Sequence, residues 1–213
     1  MYISRVEIDR ADRQKIRELS HLGAYHHWVE QSFPKEWENH TRSRKLWRID
    51  RLRHREYLLI VSETAPDLQQ LETYGVAGTV RTKSYDAFLQ SLQEQQSYRF
   101  KLTANPVKAE SDRSRKRGRV VPILQREEQL HYLAERAETN GFEVQPEAVM
   151  ITESGREMLK KTNNRDVRLL KVTYEGVLKI TDKKRFLSAL THGIGKKKAY
   201  GFGLMTVIPL SSQ

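Results

Sequence analysis

Tyr98-Arg99-Phe100-Lys101-Leu102-Thr103-Ala104 alternates apolar with polar or basic side chains, one for one. Successive side chains of a strand point to opposite faces. The segment therefore predicts a strand with Tyr98, Phe100, Leu102 and Ala104 on one face and Arg99, Lys101 and Thr103 on the other. Its position matters as much as its pattern. One full set of elements is already complete upstream, and the same order begins again here.

Upstream, Met1 to Ile8 predicts a strand with Tyr2, Val6 and Ile8 on its apolar face. Ala11 to about Phe33 predicts one helix, with a stripe of Ile16, Leu19, Leu22, Val29 and Phe33, which Pro34 ends or follows. Leu46 to Leu52 and Tyr57 to Ser62 predict strands joined by the polar turn Arg53-His54-Arg55. Pro66 to Tyr74 predicts a short helix stopped by Gly75, and Val76 to Thr82 a further strand. Downstream, Glu127 to Asn140 predicts a helix with Leu130, Leu133, Ala134 and Ala137 inward and Gly141 at its end. Val144 to Thr152 and Val167 to Ile180 predict strands, Asp182 to His192 a helix, and Gly203 to Pro209 the last strand. The order β-α-β-β-α-β thus occurs twice. We expect an α+β chain of two tandem ferredoxin-like domains, residues 1–93 and 97–213, divided in the polar run Gln93-Glu94-Gln95-Gln96. Asn105 to Arg119, Glu153 to Asp166 and Gly193 to Gly203 fall outside this scheme as basic excursions.

The charge is distributed as unevenly as the pattern is regular. Lys and Arg number 38 against 27 Asp and Glu, a net of +11. Residues 41–57, 101–119, 153–171 and 179–198 hold 27 of those basic side chains and only 8 of the acidic ones. Clusters of this kind neutralise phosphates and release counterions, so a nucleic-acid partner is expected. No cysteine is present, which excludes a disulfide, a thiolate zinc site and a cysteine nucleophile. No apolar run of about 18 residues and no apolar core near Met1–Arg10 suggest a membrane span or a signal peptide. A cytoplasmic protein with no membrane partner is expected.

The most specific motif is Gly193-Ile194-Gly195-Lys196-Lys197-Lys198-Ala199-Tyr200-Gly201-Phe202-Gly203-Leu204. Glycines permit positive φ and close approach, successive N–H groups can cradle an anion, and three lysines add charge. The loop follows a helix and precedes a strand, the reverse of a dinucleotide fingerprint or a phosphate loop. Its form, G-x-G-x-x-K-x-x-G-x-G-L at the end of a RAMP-like tandem fold, resembles the RAMP-type CRISPR proteins. Three further segments narrow the resemblance to the CasE family of CRISPR repeat-processing endoribonucleases. These are the opening Met1-Tyr2-Ile3-Ser4-Arg5-Val6, the run Arg99 to Lys108 against R-F-x-L-x-A-N-P-x-K, and Tyr174-Glu175-Gly176-Val177-Leu178 against F-E-G-x-L.

The resemblance implies metal-independent cleavage of precursor CRISPR RNA at the base of the repeat hairpin. The products would carry 5′-hydroxyl and 2′,3′-cyclic phosphate ends. The protein would need no cofactor, remain on the hairpin of the mature RNA and join the other Cascade subunits. The family's catalytic histidine lies in the first helix, eight residues before the proline of a Phe-Pro pair, which places it at His26. His27 is the rival, and a packed core histidine is the plain alternative reading. The family's tyrosine one turn earlier corresponds to Gly23, leaving Tyr25 as the nearest substitute, and a lysine five residues on corresponds to Gln31. Lys35 or the glycine-loop lysines are candidates for that missing charge. The family's basic hairpin maps to Arg156, Lys160, Lys161 and Arg165. Arg113, Arg115, Lys116, Arg117 and Arg119 form a second basic set, with Lys108 nearby. Gly193, Gly195, Gly201, Gly203, Lys196, Lys197 and Lys198 are the loop candidates for RNA contact. Two other classes compete. A metal nuclease would need converging carboxylates, and the sequence has neither D-x-D nor H-E-x-x-H. A non-catalytic RAMP-type RNA-binding subunit would share fold and loop but not the working histidine.

Overall fold

The computed structural model describes residues 1–110, 119–161 and 164–210. In chain order its elements begin β1 (Tyr2–Glu7), α1 (Arg13–Glu18), α2 (Leu22–Gln31), α3 (Pro34–Glu38), β2 (Lys45–Leu52), β3 (Arg55–Ser62), α4 (Leu68–Glu72), β4 (Arg81–Ser84) and α5 (Asp86–Ser91). They continue with β5 (Ser97–Ala104), β6 (Val107–Glu110), β7 (Arg119–Pro122), α6 (Arg126–Thr139), β8 (Phe142–Lys161), β9 (Asn164–Ile180), α7 (Lys183–His192), a 3₁₀ turn (Lys198–Tyr200) and β10 (Met205–Pro209). Two antiparallel four-stranded sheets result, ordered β2-β3-β1-β4 and β10-β5-β9-β8. Numbered within each repeat, both read 4-1-3-2, the ferredoxin-like order. β5, the alternating strand, lies inside the second sheet, pairing Leu102 with Tyr174 of β9 and with Met205 of β10.

The single first helix expected over Ala11–Phe33 is two helices, α1 and α2, with α3 following. Asp12 caps α1 through bonds from the Gln14 and Lys15 N–H groups. The chain then extends at His21 (φ −157°), whose ring nitrogen accepts the Gly23 N–H and restarts the helix as α2. Pro34 follows the end of α2 and opens α3, a position where its missing N–H costs nothing. Between β2 and β3, Arg53 and His54 both take positive φ, the two-residue hairpin turn. The strand expected at Val76–Thr82 is displaced to Arg81–Ser84, because Val76 to Thr79 closes a turn containing Gly78 at φ +72°. Within Asn105–Arg119, β6 and β7 pair as a hairpin.

Glu153–Asp166, a polar excursion by its local pattern and part of a basic hairpin by resemblance, is a hairpin. There β8 and β9 continue, paired from Phe142–Ile180 to Lys161–Asn164. The reason is distant packing. Leu159 and Leu169 sit 3% and 6% exposed in a cluster with Leu19, Leu22, Tyr25 and Trp28 of the first repeat. Lys160 and Arg168 alternate outward. The arm of the second sheet thus packs on α2. The exchange runs both ways, since Leu46 and Val61 of the first sheet belong to the core around β5 and β9.

One buried cation joins the sheets directly. The Arg48 side chain, 2% exposed, donates to the Lys101 carbonyl (2.8 Å), the Leu204 carbonyl (3.0 Å) and Thr206 Oγ1 (2.8 Å). It also forks onto both oxygens of Asp50 at 2.8 and 2.9 Å. Burial alone would raise the Asp50 carboxyl, but bonds from Arg48 and then the Lys101 charge outweigh it and hold it below the usual range. Among the described residues no helix is long and apolar enough to cross a membrane.

Candidate active site and RNA-binding face

α2 presents neighbouring residues to opposite surroundings, because consecutive helical side chains diverge by about 100°. Tyr25 turns inward, 6% exposed. Its ring stacks on Trp47 at 5.9 Å and its hydroxyl accepts from Arg10 Nη2 at 3.0 Å. It lines a cavity of about 330 Å³ between the sheets, together with Arg48, Lys101 and Lys171. Charges there are spent on one another. Arg10 bonds Glu56, Lys171 meets Glu153 at 3.0 Å, and Lys101 meets Asp50 and Glu175 at 3.3 and 3.2 Å.

His26 lies on the other side of α2, its side chain 21% exposed. Its ring packs edge-on against Tyr200 of the glycine loop at 5.3 Å. Nδ1 stands 3.9 Å from Glu30 Oε1, an electrostatic contact too long for a hydrogen bond. The Glu30 carboxylate also faces Arg42 at 3.7 Å and Lys45 at 3.5 Å. His26 sits where two grooves meet, each of about 460 Å³. One carries the cations Arg42, Arg44 and Lys45 beside Glu30 and His192. The other runs past His27, Trp37, His40 and Thr41. Burial pushes the His26 imidazole below the ordinary histidine value. Glu30 opposes the shift, while Arg42, Lys45 and His27 add to it. At neutral pH the ring is therefore the free base.

That shift has a measurable sign. With His26 in the catalytic role that the resemblance implies, the cleavage rate would be flat near neutrality and fall on acidification, with one-proton slope and a midpoint below about 6.5, the unperturbed histidine value. Glu30→Gln removes the one charge that raises His26, so it should move this limb to lower pH. A pH–rate profile of the two proteins checks both statements, and a rate that rises on acidification contradicts them.

The glycine loop is fitted to this wall. Trp47 Nε1 donates to the Ala199 carbonyl at 2.9 Å, and Gly203 N–H donates to the Thr103 carbonyl at 2.7 Å. A Cβ at Gly201, where φ is +83°, would stand 2.7 Å from the Trp47 ring, and one at Gly193 (φ +77°) 2.6 Å from Leu46. Ile194 N–H bonds the Gly203 carbonyl at 3.0 Å, so part of the N–H set expected to cradle an anion is used internally. The glycines bring Tyr200 against His26, while Lys196 and Lys197 remain exposed. Lys198 is half-buried, and burial first, then the Arg44 charge, lower its ammonium.

The other sequence candidates scatter. Arg156 and Lys160 are exposed on the arm of β8. Lys108 is paired with Glu128 at 2.8 Å, and Arg119 is exposed at the start of β7. Lys35 lies in the last turn of α3, lining a cleft with Phe33 and Asn39 and apart from the grooves beside His26. Arg113, Arg115, Lys116 and Arg117 lie outside the described residues, as do the side chains of Lys161 and Arg165. At the two positions where the family pattern fails, Gly23 is accounted for locally. A Cβ there would stand 2.9 Å from the His21 ring that caps α2. Arg42, Arg44, Trp37, His192 and Tyr200 around His26 were not singled out individually by the sequence reading. Arg42 and Arg44 fall in its first basic cluster and Tyr200 in its glycine motif. Trp37 and His192 carry no local signal. Among the described residues no three His, Cys, Asp or Glu side chains gather as a metal site.

The profile of the family described as CRISPR associated protein matches residues 1–209. The chain is a CRISPR-associated protein of the CasE family. It is 29% identical over 220 residues to the CRISPR-associated endoribonuclease Cse3 of Thermus thermophilus, covering 98% of this chain and 100% of the relative. It is 27% identical over 219 residues to the CRISPR system Cascade subunit CasE of Escherichia coli, covering 99% and 100%. A solved structure of CRISPR endoribonuclease Cse3 bound to 19 nt RNA superposes with a TM-score of 0.83 at 26% identity, over 98% of this chain and 100% of that one. The resemblance seen in the glycine loop and in Arg99–Lys108 thus holds along the whole chain.

Proposed function

We propose that this CasE-family chain is a metal-independent endoribonuclease that cuts precursor CRISPR RNA at its repeat hairpin and stays bound as a Cascade subunit in the cytoplasm. The observation that carries the reading is His26, half-buried and shifted toward its free base, beside a groove rich in cations. Cleavage at an internal ribose needs no external nucleophile. The 2′-oxygen bonds to phosphorus while the bond to the 5′-oxygen breaks, leaving a 2′,3′-cyclic phosphate. His26 takes the 2′-hydroxyl proton and later returns it to solvent, and the departing 5′-oxygen takes a proton from water. Arg42, Arg44 and Lys198 supply positive charge beside the pentavalent phosphorus, in place of the lysine that Gln31 replaces. Holding the ribose in line contributes as much as proton transfer does.

Duplex RNA is gripped mainly by shape and phosphate contact. Arg156 and Lys160 project from an arm packed on the same helix that carries His26, so stem and scissile phosphate are held against one rigid unit. Division of the chain into domains of residues 1–93 and 97–213 fits this use, one repeat carrying His26 and the other the arm and loop. Tyr25, anchored to Arg10 and Trp47, serves in this reading to fix α2, and Tyr200 is the phenol that borders the imidazole. The non-catalytic alternative has no use for a shifted histidine in an open groove.

End-labelled hairpin RNA in EDTA tests the activity. The expected result is full-rate cleavage with 5′-hydroxyl and cyclic-phosphate products. Loss of all cutting in EDTA, restored by a divalent cation, would overturn the metal-free chemistry.

A further inference from the structure

Trp37 is 67% exposed, the most exposed large apolar side chain among the described residues. Trp28 and Trp47, by contrast, are 0% and 1% exposed. Its neighbour fixes its direction. Glu36 is buried, accepting from Lys45 Nζ at 2.6 Å, from the Ser43 N–H at 3.1 Å and from the Ser43 hydroxyl, while its carbonyl accepts the Thr41 N–H at 2.9 Å. Burial would raise the Glu36 carboxyl, but the Lys45 and Ser43 bonds outweigh it and keep it charged. With Glu36 pinned beneath, α3 holds the indole outward in the groove that His26 shares with His27, His40, Thr41 and Arg42. His26, Glu30 and Arg42 border the cationic groove as well. An exposed aromatic plane therefore lies on one side of the imidazole, and the Arg42, Arg44 and Lys45 cations beside Glu30 on the other.

A nucleotide has the same polarity, with an apolar π-face at one end and a phosphate at the other. Single-stranded RNA is held by stacking of splayed bases on aromatic side chains. We infer that Trp37 is the stacking platform for an unpaired nucleobase flanking the scissile phosphate. This rests on the endoribonuclease reading above. The surrounding Arg42, His27 and His40 favour a nucleotide over an apolar protein segment as the occupant.

The test uses the intact chain and hairpin RNA made uncleavable by a 2′-deoxy ribose at the cut, with abasic sites placed in turn at the unpaired nucleotides on either side. Only Trp37 is open to acrylamide, so quenching of tryptophan fluorescence reports on this one indole. Intact RNA should shield it. One abasic position should restore quenching and weaken binding by about tenfold, the usual worth of one stacked base. Trp37→Ala should lose the same factor on intact RNA and nothing more on that abasic RNA, and Trp37→Phe should recover most of it. Binding of intact RNA with the indole still quenched overturns the inference and leaves the nuclease reading standing. Wild-type RNA affinity in Trp37→Ala, with association to other subunits lost, also overturns it in favour of a protein partner. Failure of any hairpin to bind removes both.

Discussion

His26→Ala is expected to slow cleavage by about 10²–10⁴-fold, the usual worth of a positioned proton-transfer group, while hairpin affinity stays within a few-fold. The asymmetry follows from the geometry. His26 contributes a single imidazole to a groove whose positive charge comes from Arg42, Arg44 and Lys45. The hairpin arm with Arg156 and Lys160 is untouched by the change. Truncation removes the base and leaves the cationic surface, so the loss should fall on the single-turnover rate. His27→Ala is the comparison: it shares the Trp37 groove but not the cationic one, so any loss should fall on affinity, and its single-turnover rate at saturating protein should far exceed that of His26→Ala. Single-turnover kinetics with labelled RNA, and affinity measured on uncleavable RNA, separate the two quantities. Equal rates for His26→Ala and parent would remove His26 from the chemistry.

Arg48→Ala should have the largest effect on folding, a loss of about 3–5 kcal/mol, as for a buried ion pair stripped of one partner. The change leaves the Lys101 and Leu204 carbonyls and Thr206 Oγ1 without this donor, and deprives Asp50 of its forked partner. For a chain of this length the melting temperature should fall by on the order of 10 °C. Because part of the cost is the Asp50 charge, left with Lys101 at 3.3 Å in place of its forked partner, Arg48→Ala with Asp50→Ala should cost less than the sum of the single changes. Thermal melts of the parent, the two single variants and the double variant check this. Strict additivity would mean that Arg48 acts through packing alone.

The fold was legible where local pattern and tertiary demand agree. The alternation of Tyr98–Ala104 sits inside its sheet as read, Asp182 caps α7, and Gly141 follows α6 with positive φ. Where the structure departs from the sequence reading, partners are remote. Leu159 stands among charged residues and looks like loop, yet it is buried against α2, well over a hundred residues earlier. Helix continuity from Ala11 to Phe33 failed because a histidine, not one of the usual capping residues, caps α2 from within the apolar stripe. α5 carries no local signal because its buried Leu89, like Leu92 just past its end, packs on the second repeat. The site shows the same division. His26 could be placed by resemblance and by its position at the edge of the stripe. That Tyr25 faces the inter-sheet cavity while Tyr200 meets His26 depends on how the glycine loop docks on Leu46 and Trp47, which no local signal encodes.

A single substitution in the substrate reaches the central claim most directly: a 2′-deoxy ribose immediately 5′ of the scissile phosphate in an otherwise unchanged hairpin RNA. The RNA should bind as the ribose form does and remain uncut through an incubation that consumes the control. Cleavage of the deoxy substrate at the same bond would mean that the attacking oxygen comes from elsewhere, and the role assigned to the His26 groove would be wrong.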